Sequence, residues 1–359
     1  MTTHAIIDAA RAKLEPDVWD YIVGAAETET TARRNRVAID SLALRPRVGR
    51  DVENIDPSTS LLGHRLRIPV VLAPIGACEE ITINGGIAQA RAAERFGIMP
   101  TISSVTEPSF EAVGAASAGP KITQLYIRGD AAWADALIDR VRESGFIATA
   151  VTVDSAYYGR RERQLRTGWR PPTHRAGPEP GIVWQSRLSW DWIEQMHEHS
   201  GLPMVIKGIQ TAADAEIAVA RGFEVVWVSN HGGRELDHGE ASIDVLREVV
   251  DAVAGRAAIV VDGGFMRGTD VLKAIALGAQ AVGIGRLQAL ALAAGGEDAL
   301  VRTLELLEEE IVVAMGLLGV VRLAELDASY LTRAHAPAAP SALLAAFPER
   351  APDWPAPAG

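Results

Sequence analysis

Short apolar runs rich in β-branched residues recur through the middle of the chain, and Ala-rich segments with helical periodicity separate most of them. The eight runs occupy residues 68–73, 98–102, 121–126, 147–153, 203–206, 224–228, 257–261 and 281–284. Helical periodicity is clearest in residues 87–96, 133–144, 212–221, 243–253 and 270–277. Continuous apolar strands that alternate with helices are typical of parallel strands buried on both faces. Eight such units predict an α/β fold, the TIM (β/α)8 barrel, with a doubly wound open sheet as the alternative.

The segments outside this alternation predict an N-terminal extension, a lid and a C-terminal helix with a tail. Residues 1–60 are expected to form a helical extension that caps the bottom or the side of a barrel spanning residues 61–320. An insertion after the fourth strand, at about residues 157–190, is rich in Pro and Gly near its centre and is interpreted as a lid at the catalytic end. Its tryptophans either cover a ligand or anchor the loop. Residues 298–318 predict an amphipathic helix, and residues 321–359 a tail that is of low complexity from Ala336 onward.

Composition excludes several classes of function. The 359 residues carry a formal charge of −11, from 35 Lys and Arg against 46 Asp and Glu, and no long basic run, so a nucleic-acid partner is not expected. The single cysteine, Cys78, forms no intramolecular disulfide and is typical of a reducing compartment. No stretch approaches the roughly 18 apolar residues of a membrane span. We therefore expect a cytoplasmic protein that acts on a small molecule.

Polar side chains interrupt the apolar runs at the same end of nearly every predicted strand. In chain order they are Ser103, Ser104, Gln124, Tyr126, Thr152, Asp154, Lys207, Ser229, Asn230, His231, Arg234, Asp262 and Arg286. In TIM barrels the carboxyl ends of the strands carry the chemistry. The pattern therefore predicts an active site at that end.

Two glycine-rich turns follow the last two strands and precede helices. They read VDGGFMRG and GIGR, with Arg267 and Arg286 beside the glycines. Backbone N–H groups and a helix N-terminus at this place in a barrel hold phosphate, so a phosphorylated ligand is expected. The P-loop and Rossmann motifs do not occur, and the scattered histidines do not predict a metal site.

The densest polar cluster is SNHGGRELD, residues 229–237. His231 offers a base and Arg234 an anion clamp within a few residues. Asp154, at the end of the fourth strand, is the candidate carboxylate that orients the imidazole.

With these motifs in place, the chain resembles the FMN-dependent α-hydroxy acid oxidases and dehydrogenases. The resemblance rests on SNHGGRELD, on VIKGIQTAADA at 205–215, on QLY at 124–126, on TVD at 152–154 with GRRER at 159–163, and on VDGG with GTDVLKAIALGAQAVGIGR, which ends at Arg286. It runs collinearly from about residue 21 to residue 318.

The resemblance implies FMN as cofactor and the oxidation of a 2-hydroxy acid to the 2-oxo acid, with oxygen or another acceptor. It implies that the catalytic residues are His231 as base, Asp154, Tyr126 and Lys207, the last at the N1/O2 edge of the flavin. The substrate would be bound by Tyr21, Tyr126, Arg161, His231 and Arg234. The cofactor would be bound by Ala73, Pro74, Gly76, Ser103, Gln124, Thr152, Lys207, Ser229, Asp262, Gly264, Arg267, Gly285 and Arg286. A homotetramer is also implied.

Three departures from the family pattern bear on the substrate and the cofactor. Met266 stands where the family has an arginine after the DGG turn, so we expect a weaker or rearranged phosphate contact. Val105 replaces a bulky aromatic residue and suggests a roomier pocket, while Gly76 resembles the dehydrogenase members. Two alternatives stay open: oxidation of an atypical substrate, such as an amine or a modified peptide, and flavin binding without turnover.

Overall fold

The computed structural model describes residues 2–171 and 180–335. The strands are β1 (Leu42–Leu44), β2 (Thr59–Leu61), β3 (His64–Leu66), β4 (Val70–Leu72), β5 (Met99–Ser103), β6 (Ile122–Leu125), β7 (Ala148–Thr152), β8 (Met204–Ile209), β9 (Val225–Val228), β10 (Ala258–Val261), β11 (Ala281–Ile284) and β12 (Leu331–Arg333). The helices are α1 (Thr3–Lys13), α2 (Pro16–Val23), α3 (Thr30–Asp40), α4 (Gly85–Phe96), α5 (Phe110–Ala116), α6 (Ala131–Glu143), α7 (Glu162–Thr167), α8 (Pro180–Gln185), α9 (Trp190–Ser200), α10 (Ala212–Ala220), α11 (Ser242–Val253), α12 (Gly268–Ala276) and α13 (Arg286–Leu318).

Strands β4 to β11 form a closed barrel of eight parallel strands. Each of the eight predicted apolar runs supplies one strand, and the ring closes where Val282 of β11 pairs with Val70 of β4. This closing pair confirms the TIM barrel and excludes the open sheet.

Alternate residues of the strands fill the barrel interior. Val71, Met99, Ile122, Ala148, Val205, Val225, Trp227, Val260 and Ala281 form one core cluster, which Leu61 and Leu66 of the β2–β3 hairpin join. The hairpin therefore closes the amino-terminal end of the barrel. Because the interior is packed below, the cavity that holds the chemistry lies at the carboxyl ends of the strands.

The N-terminal extension reaches the catalytic end. Helix α1 packs along α13, but α2 contacts α7 and α3 contacts the turn at His231–Gly233. The expectation that residues 1–60 cap the bottom or the side is thus wrong for α2 and α3, whereas the family resemblance had already implied that Tyr21 of α2 lies at the substrate. The physical reason is a close backbone approach: a Cβ on Gly233 would lie 2.5 Å from the backbone nitrogen of Ala32.

The insertion and the tail differ in detail from expectation. The insertion at residues 157–190 contains α7 and α8, and residues 172–179 lie outside the described residues. The helix predicted at residues 298–318 is present, and a kink at Gly295 and Gly296 separates it from a first helical segment that begins at Arg286. The tail is ordered at first, since β12 pairs antiparallel with β1; residues 336–359 lie outside the described residues.

Neither a membrane helix nor a metal cluster is present in the described ranges 2–171 and 180–335. None of their helices is long and apolar enough to cross a membrane. No group of three or more His, Cys, Asp or Glu side chains there could hold a metal ion.

Candidate active site

A cavity of about 610 Å³ opens at the carboxyl ends of the barrel strands. Fourteen of the predicted residues line it: Tyr21, Ala73, Pro74, Gly76, Ser103, Tyr126, Arg161, Lys207, His231, Arg234, Asp262, Gly264, Gly285 and Arg286. Helices α2 and α3 complete the wall with residues that the sequence did not single out, among them Trp19, Ala32 and Asn35. The catalytic end is therefore built jointly by the barrel and the extension.

His231 enters the cavity from a tight turn after β9. His231, Gly232 and Gly233 all have left-handed backbones, with φ of 56°, 63° and 78°. Glycine is favoured at the second position by its left-handed backbone, and a Cβ there would also displace a guanidinium nitrogen of Arg286, which would lie 2.8 Å away. The left-handed conformation of a non-glycine residue such as His231 is strained, and strain of this kind occurs where a fold positions a functional side chain.

The imidazole of His231 lies between an acid and a phenol. Its Nδ1 is 3.0 Å from Oδ1 of Asp154, and its Nε2 is 3.3 Å from Oη of Tyr126. Burial alone would raise the pKa of Asp154, but the charges of His231 and Lys207 outweigh burial and lower it. The ionised carboxylate accepts the proton on Nδ1, so Nε2 carries the lone pair that faces the cavity.

A glycine makes room for this acid. Gly208, in the KGI motif of β8, has φ of 117°, and a Cβ there would lie 2.7 Å from Cβ of Asp154. Gly208 is thus required both by its backbone conformation and by the approach of Asp154.

Tyr126 keeps its proton. Its pKa is raised well above the ordinary value, first by burial and then by the negative charges of Glu235 and Asp154. The phenol is therefore a hydrogen-bond donor toward Nε2 of His231 or toward a ligand at the same point.

Two arginines give this end of the cavity a positive potential. One Nη of Arg234 donates to the carbonyls of Tyr21 (2.6 Å) and Gly24 (3.0 Å), and the guanidinium lies 4.9 Å from the centre of the Tyr21 ring. Arg161 donates from Nη2 to Oε1 of Glu235 at 2.8 Å. Burial, together with the neighbouring charge of Arg161, lowers the pKa of Arg234 to about 9. An anion bound between the two guanidinium groups would relieve their repulsion.

Tyr21 forms part of the cavity wall from α2. Its hydroxyl donates to the carbonyl of Gly76 at 2.9 Å, and its ring packs against Trp169 of the insertion, with the ring centres 5.0 Å apart. Trp169 of the insertion is thus placed against a predicted substrate residue.

A hydrogen-bonded network lies beneath the cavity. Lys207 donates to Ser229 at 2.9 Å, Ser229 donates to Asp262 at 2.7 Å, and the indole N–H of Trp227 donates to the same carboxylate at 3.0 Å. Beside it, Gln124 bridges the hydroxyls of Ser103 and Thr152. Gln124, Thr152 and Ser229 therefore support the wall from behind rather than line it.

At the opposite end of the cavity, Arg286 and the start of α13 face open space. Arg286 donates to the carbonyls of Gly232 and Gly24 at 2.9 Å each, while its Nε is buried without a hydrogen-bond partner. Burial lowers its pKa to about 10, against the opposing charge of Glu29. A Cβ on Gly285 would meet no atom within 4 Å. A helix N-terminus, an arginine with an unused donor and free space together fit a bound phosphate.

The expected phosphate contact of Arg267 requires correction. Its side chain pairs with Glu310 of α13 at 2.7 Å and does not line the cavity. Arg267 is the residue before α12, and Asp270 of that helix accepts from its backbone N–H. This capping arrangement directs the side chain to α13.

Sequence reasoning missed three groups that the fold brings to the site. Glu235 belongs to the SNHGGRELD motif, but the sequence analysis assigned no role to its carboxylate. Trp227 was counted only as an apolar residue of a strand, although its indole carries an N–H donor. Asn35 forms a reciprocal amide pair with Asn230, at 2.9 and 2.8 Å, which fastens α3 to the His231 turn. Nothing in the local sequence of α3 indicates this partner.

Comparisons with known proteins agree with this geometry. The sequence profile of the family described as FMN-dependent dehydrogenase matches residues 10–333. The chain is 37% identical over 346 residues to glycolate oxidase 1 of Oryza sativa subsp. indica, covering 91% of this chain and 92% of that protein. It is 36% identical over 349 residues to the L-lactate oxidase of Nostoc sp., covering 90% and 95%.

Solved structures give the same result. A mandelate oxidase bound to 3,3-difluoro-2-hydroxy-3-phenylpropionic acid matches with a TM-score of 0.85 at 36% identity, covering 94% of this chain and 99% of that one. A mandelate oxidase bound to (S)-4-hydroxymandelic acid matches with a TM-score of 0.87 at 34% identity. With the barrel and the cavity described above, these matches show that the chain belongs to the FMN-dependent α-hydroxy acid oxidase and dehydrogenase family and is an FMN-dependent oxidoreductase acting on CH–OH groups.

Proposed function

We propose that this chain oxidises a 2-hydroxy monocarboxylic acid to the 2-oxo acid, with His231 as the base. The observation that carries the proposal is the position of Nε2 of His231, which faces the cavity while Asp154 holds Nδ1. Two arginines and Tyr126 lie around the same space. This combination fits a substrate with one carboxylate and one hydroxyl group.

FMN fits the remainder of the cavity. Its phosphate would be held by the N-terminus of α13 and by Arg286, whose buried Nε has an unused donor. Ala73, Pro74, Gly76 and Ser103 would line the ring system, and Lys207 would lie at its polar edge. Bound FMN would supply the acceptor for the α-hydrogen of the substrate and for the two electrons of the broken C–H bond.

The residues of the chain then have separate tasks. Arg161 and Arg234 bind the carboxylate and so fix which side of the α-carbon faces the cofactor. Nε2 of His231 takes the proton of the hydroxyl group, and Asp154 stabilises the imidazolium that forms. Tyr126, which stays protonated, donates a hydrogen bond to the substrate oxygen. Tyr21, with Trp169 packed against its ring, forms part of the wall of the site.

The test is the visible absorption spectrum of the FMN-loaded protein during anaerobic mixing with glycolate, lactate and mandelate. We expect the flavin absorbance to bleach with at least one acid. His231→Ala should retain FMN and bleach at least about 100-fold more slowly, since general-base catalysis contributes about 10² to 10⁴. Normal bleaching by His231→Ala would show that another group is the base, and an unchanged spectrum with all three acids would overturn the substrate class.

The electron acceptor, the assembly and the location belong to the same proposal. Reoxidation by oxygen is supported by the oxidase names of the relatives. A homotetramer, which the family resemblance implies, stays a prediction. A cytoplasmic location, expected from the single cysteine, stays a prediction.

A further inference from the structure

Glu235 is a buried carboxylate in the wall of the cavity to which the proposed reaction assigns no task. It is 8% exposed and lines the cavity next to Arg161 and Arg234. Its Oε1 accepts from Nη2 of Arg161 at 2.8 Å, and its Oε2 accepts from the backbone N–H of Gly159 at 2.5 Å. Both carboxylate oxygens are thus bound, and one of them neutralises an arginine assigned to the substrate.

The fold fixes this carboxylate in place. A Cβ on Gly159 would lie 2.3 Å from the carbonyl oxygen of Arg234 and 2.6 Å from that of Glu235, so the start of the insertion lies directly on this segment. Nε of Arg161 also donates to the carbonyl of Arg234 at 3.3 Å. The ion pair therefore belongs to the wall of the site and is not a surface contact that rearranges freely.

The charges at the substrate end of the cavity then sum to a small value. Arg161 and Arg234 are positive and Glu235 is negative. Tyr126 is protonated, the His231 imidazole is held by Asp154, and Lys207 lies 3.4 Å from Asp262 in the network below. Glu235 therefore cancels one of the two guanidinium charges beside the substrate, and the ionised Asp154 lowers the total further.

We propose that Glu235 determines the charge selectivity of the site by cancelling the charge of Arg161, so that Arg234 supplies the positive charge that one ligand carboxylate neutralises. The inference rests on the proposed function, because it takes Arg161 and Arg234 as the carboxylate site. A ligand with a second carboxylate is disfavoured, since its extra charge would be buried near Glu235 without a partner. Ligands with one carboxylate and an uncharged side chain are accepted.

The experiment compares two anions of nearly the same shape, malonate and its monoamide malonamate, which differ by one charge. Their dissociation constants are measured for the FMN-loaded protein from the perturbation of the flavin absorbance, at about pH 8, where both acid groups of malonate are ionised. We expect the wild-type protein to prefer malonamate by about tenfold or more, and Glu235→Gln to reduce that preference by about tenfold. An equal preference in both proteins would overturn the proposal.

The ratio of the two dissociation constants separates an effect of charge from a change in the structure of the site. A Gln side chain can accept from only one of its two partners, so Glu235→Gln also disturbs Arg161 and Gly159, but this weakens both ligands alike and leaves their ratio unchanged. Glu235→Ala, which presents no amide to Gly159, should change the ratio in the same direction; a change in the opposite direction would contradict the inference. Glu162→Gln is the matched control, because Glu162 is 60% exposed, next to Arg161 in sequence, and screened by solvent.

Binding is measured without turnover, so the charge-selectivity inference and the proposed function can each be refuted without the other. A protein that oxidises lactate but shows the same ratio with and without Glu235 refutes the charge inference alone. A protein whose ratio responds as expected, but which oxidises no 2-hydroxy acid, supports the inference and overturns the proposed function.

Discussion

At the scale of single residues, the site is organised by side chains that are buried with some of their hydrogen-bonding capacity unused. Oδ2 of Asp154 and Nε of Arg286 are both buried without a hydrogen-bond partner. A buried, unpaired polar atom costs free energy, which proteins tolerate mainly where a ligand or a reaction uses the atom. For Arg286 the unused donor lies at the cavity end that fits a phosphate, so its loss should weaken cofactor binding more than folding.

Arg286→Gln tests this assignment. We expect the dissociation constant of FMN to rise about 10- to 100-fold, because one charge-assisted phosphate contact is worth about 1.5–3 kcal/mol. The measurement is a titration of the apoprotein with FMN, followed by quenching of flavin fluorescence. Arg267→Gln is the control: its pairing with Glu310 places it outside the cavity, so FMN affinity should change less than about threefold. A larger loss of FMN affinity for Arg267→Gln than for Arg286→Gln would show that Arg267, and not Arg286, binds the phosphate.

At the scale of elements, α3 is held on the barrel by polar contacts at its N-terminus. Asp237, at the end of the SNHGGRELD motif, accepts from the backbone N–H of Thr31 at 2.8 Å and from the hydroxyl of Thr28 at 2.7 Å. Burial alone would raise its pKa, but these hydrogen bonds outweigh burial and hold the pKa below the ordinary value. The last residue of the motif therefore fastens the N-terminal extension that completes the cavity.

Asp237→Asn should destabilise the protein in a pH-dependent way. Because the pKa of Asp237 is lower in the folded than in the unfolded chain, its stabilising contribution is full above about pH 4 and is lost as the pH falls through the folded value. We expect the free energy of unfolding to fall by about 1–3 kcal/mol at neutral pH, and the gap to wild type to narrow in acid. Urea unfolding at about pH 7 and at about pH 3 measures both quantities.

The control for this prediction is Asp251→Asn. Asp251 lies on α11, is 59% exposed and pairs with Arg247. Its replacement should change the free energy of unfolding by about 0.5 kcal/mol or less at either pH. A constant gap between wild type and Asp237→Asn over the whole pH range would show that Asp237 acts by shape and not by charge.

At the scale of the whole molecule, the barrel interior is divided between a packed lower part and a polar upper part. Trp227 forms the boundary: its ring belongs to the interior core, and its indole N–H donates to Asp262. The ring fits because β11, which lies two strands from β9 around the barrel, has glycine at position 283, where a Cβ would lie 2.7 Å from Cζ2 of Trp227. The floor of the active site is thus a tryptophan ring that occupies the space next to Gly283, which has no side chain.

Gly283→Ala should destabilise the FMN-saturated protein by about 1–3 kcal/mol through overpacking. Trp227→Phe removes the Cζ2 atom that the new methyl group meets, so the double variant should be less destabilised than the sum of the single changes, by about 0.5 kcal/mol or more. The measurement is chemical unfolding of the four proteins. Strict additivity would show that the methyl group is accommodated elsewhere.

The sequence by itself determined the barrel and indicated which residues at the strand ends could form the candidate site. Eight apolar runs with intervening helical periods specify parallel strands that are buried on both faces, and a residue that ends such a strand lies at the catalytic end in any barrel. His231, Asp154, Lys207 and Arg286 could therefore be assigned from their positions alone. The tertiary structure decided what depends on contacts between distant segments: the place of α2 and α3 at the mouth, the pairing of Asn35 with Asn230, the turning of Arg267 toward Glu310, and the clamp of Glu235 on Arg161 and Gly159. Periodicity reports which face of an element is buried, but it carries no information about which element, remote in the chain, covers that face.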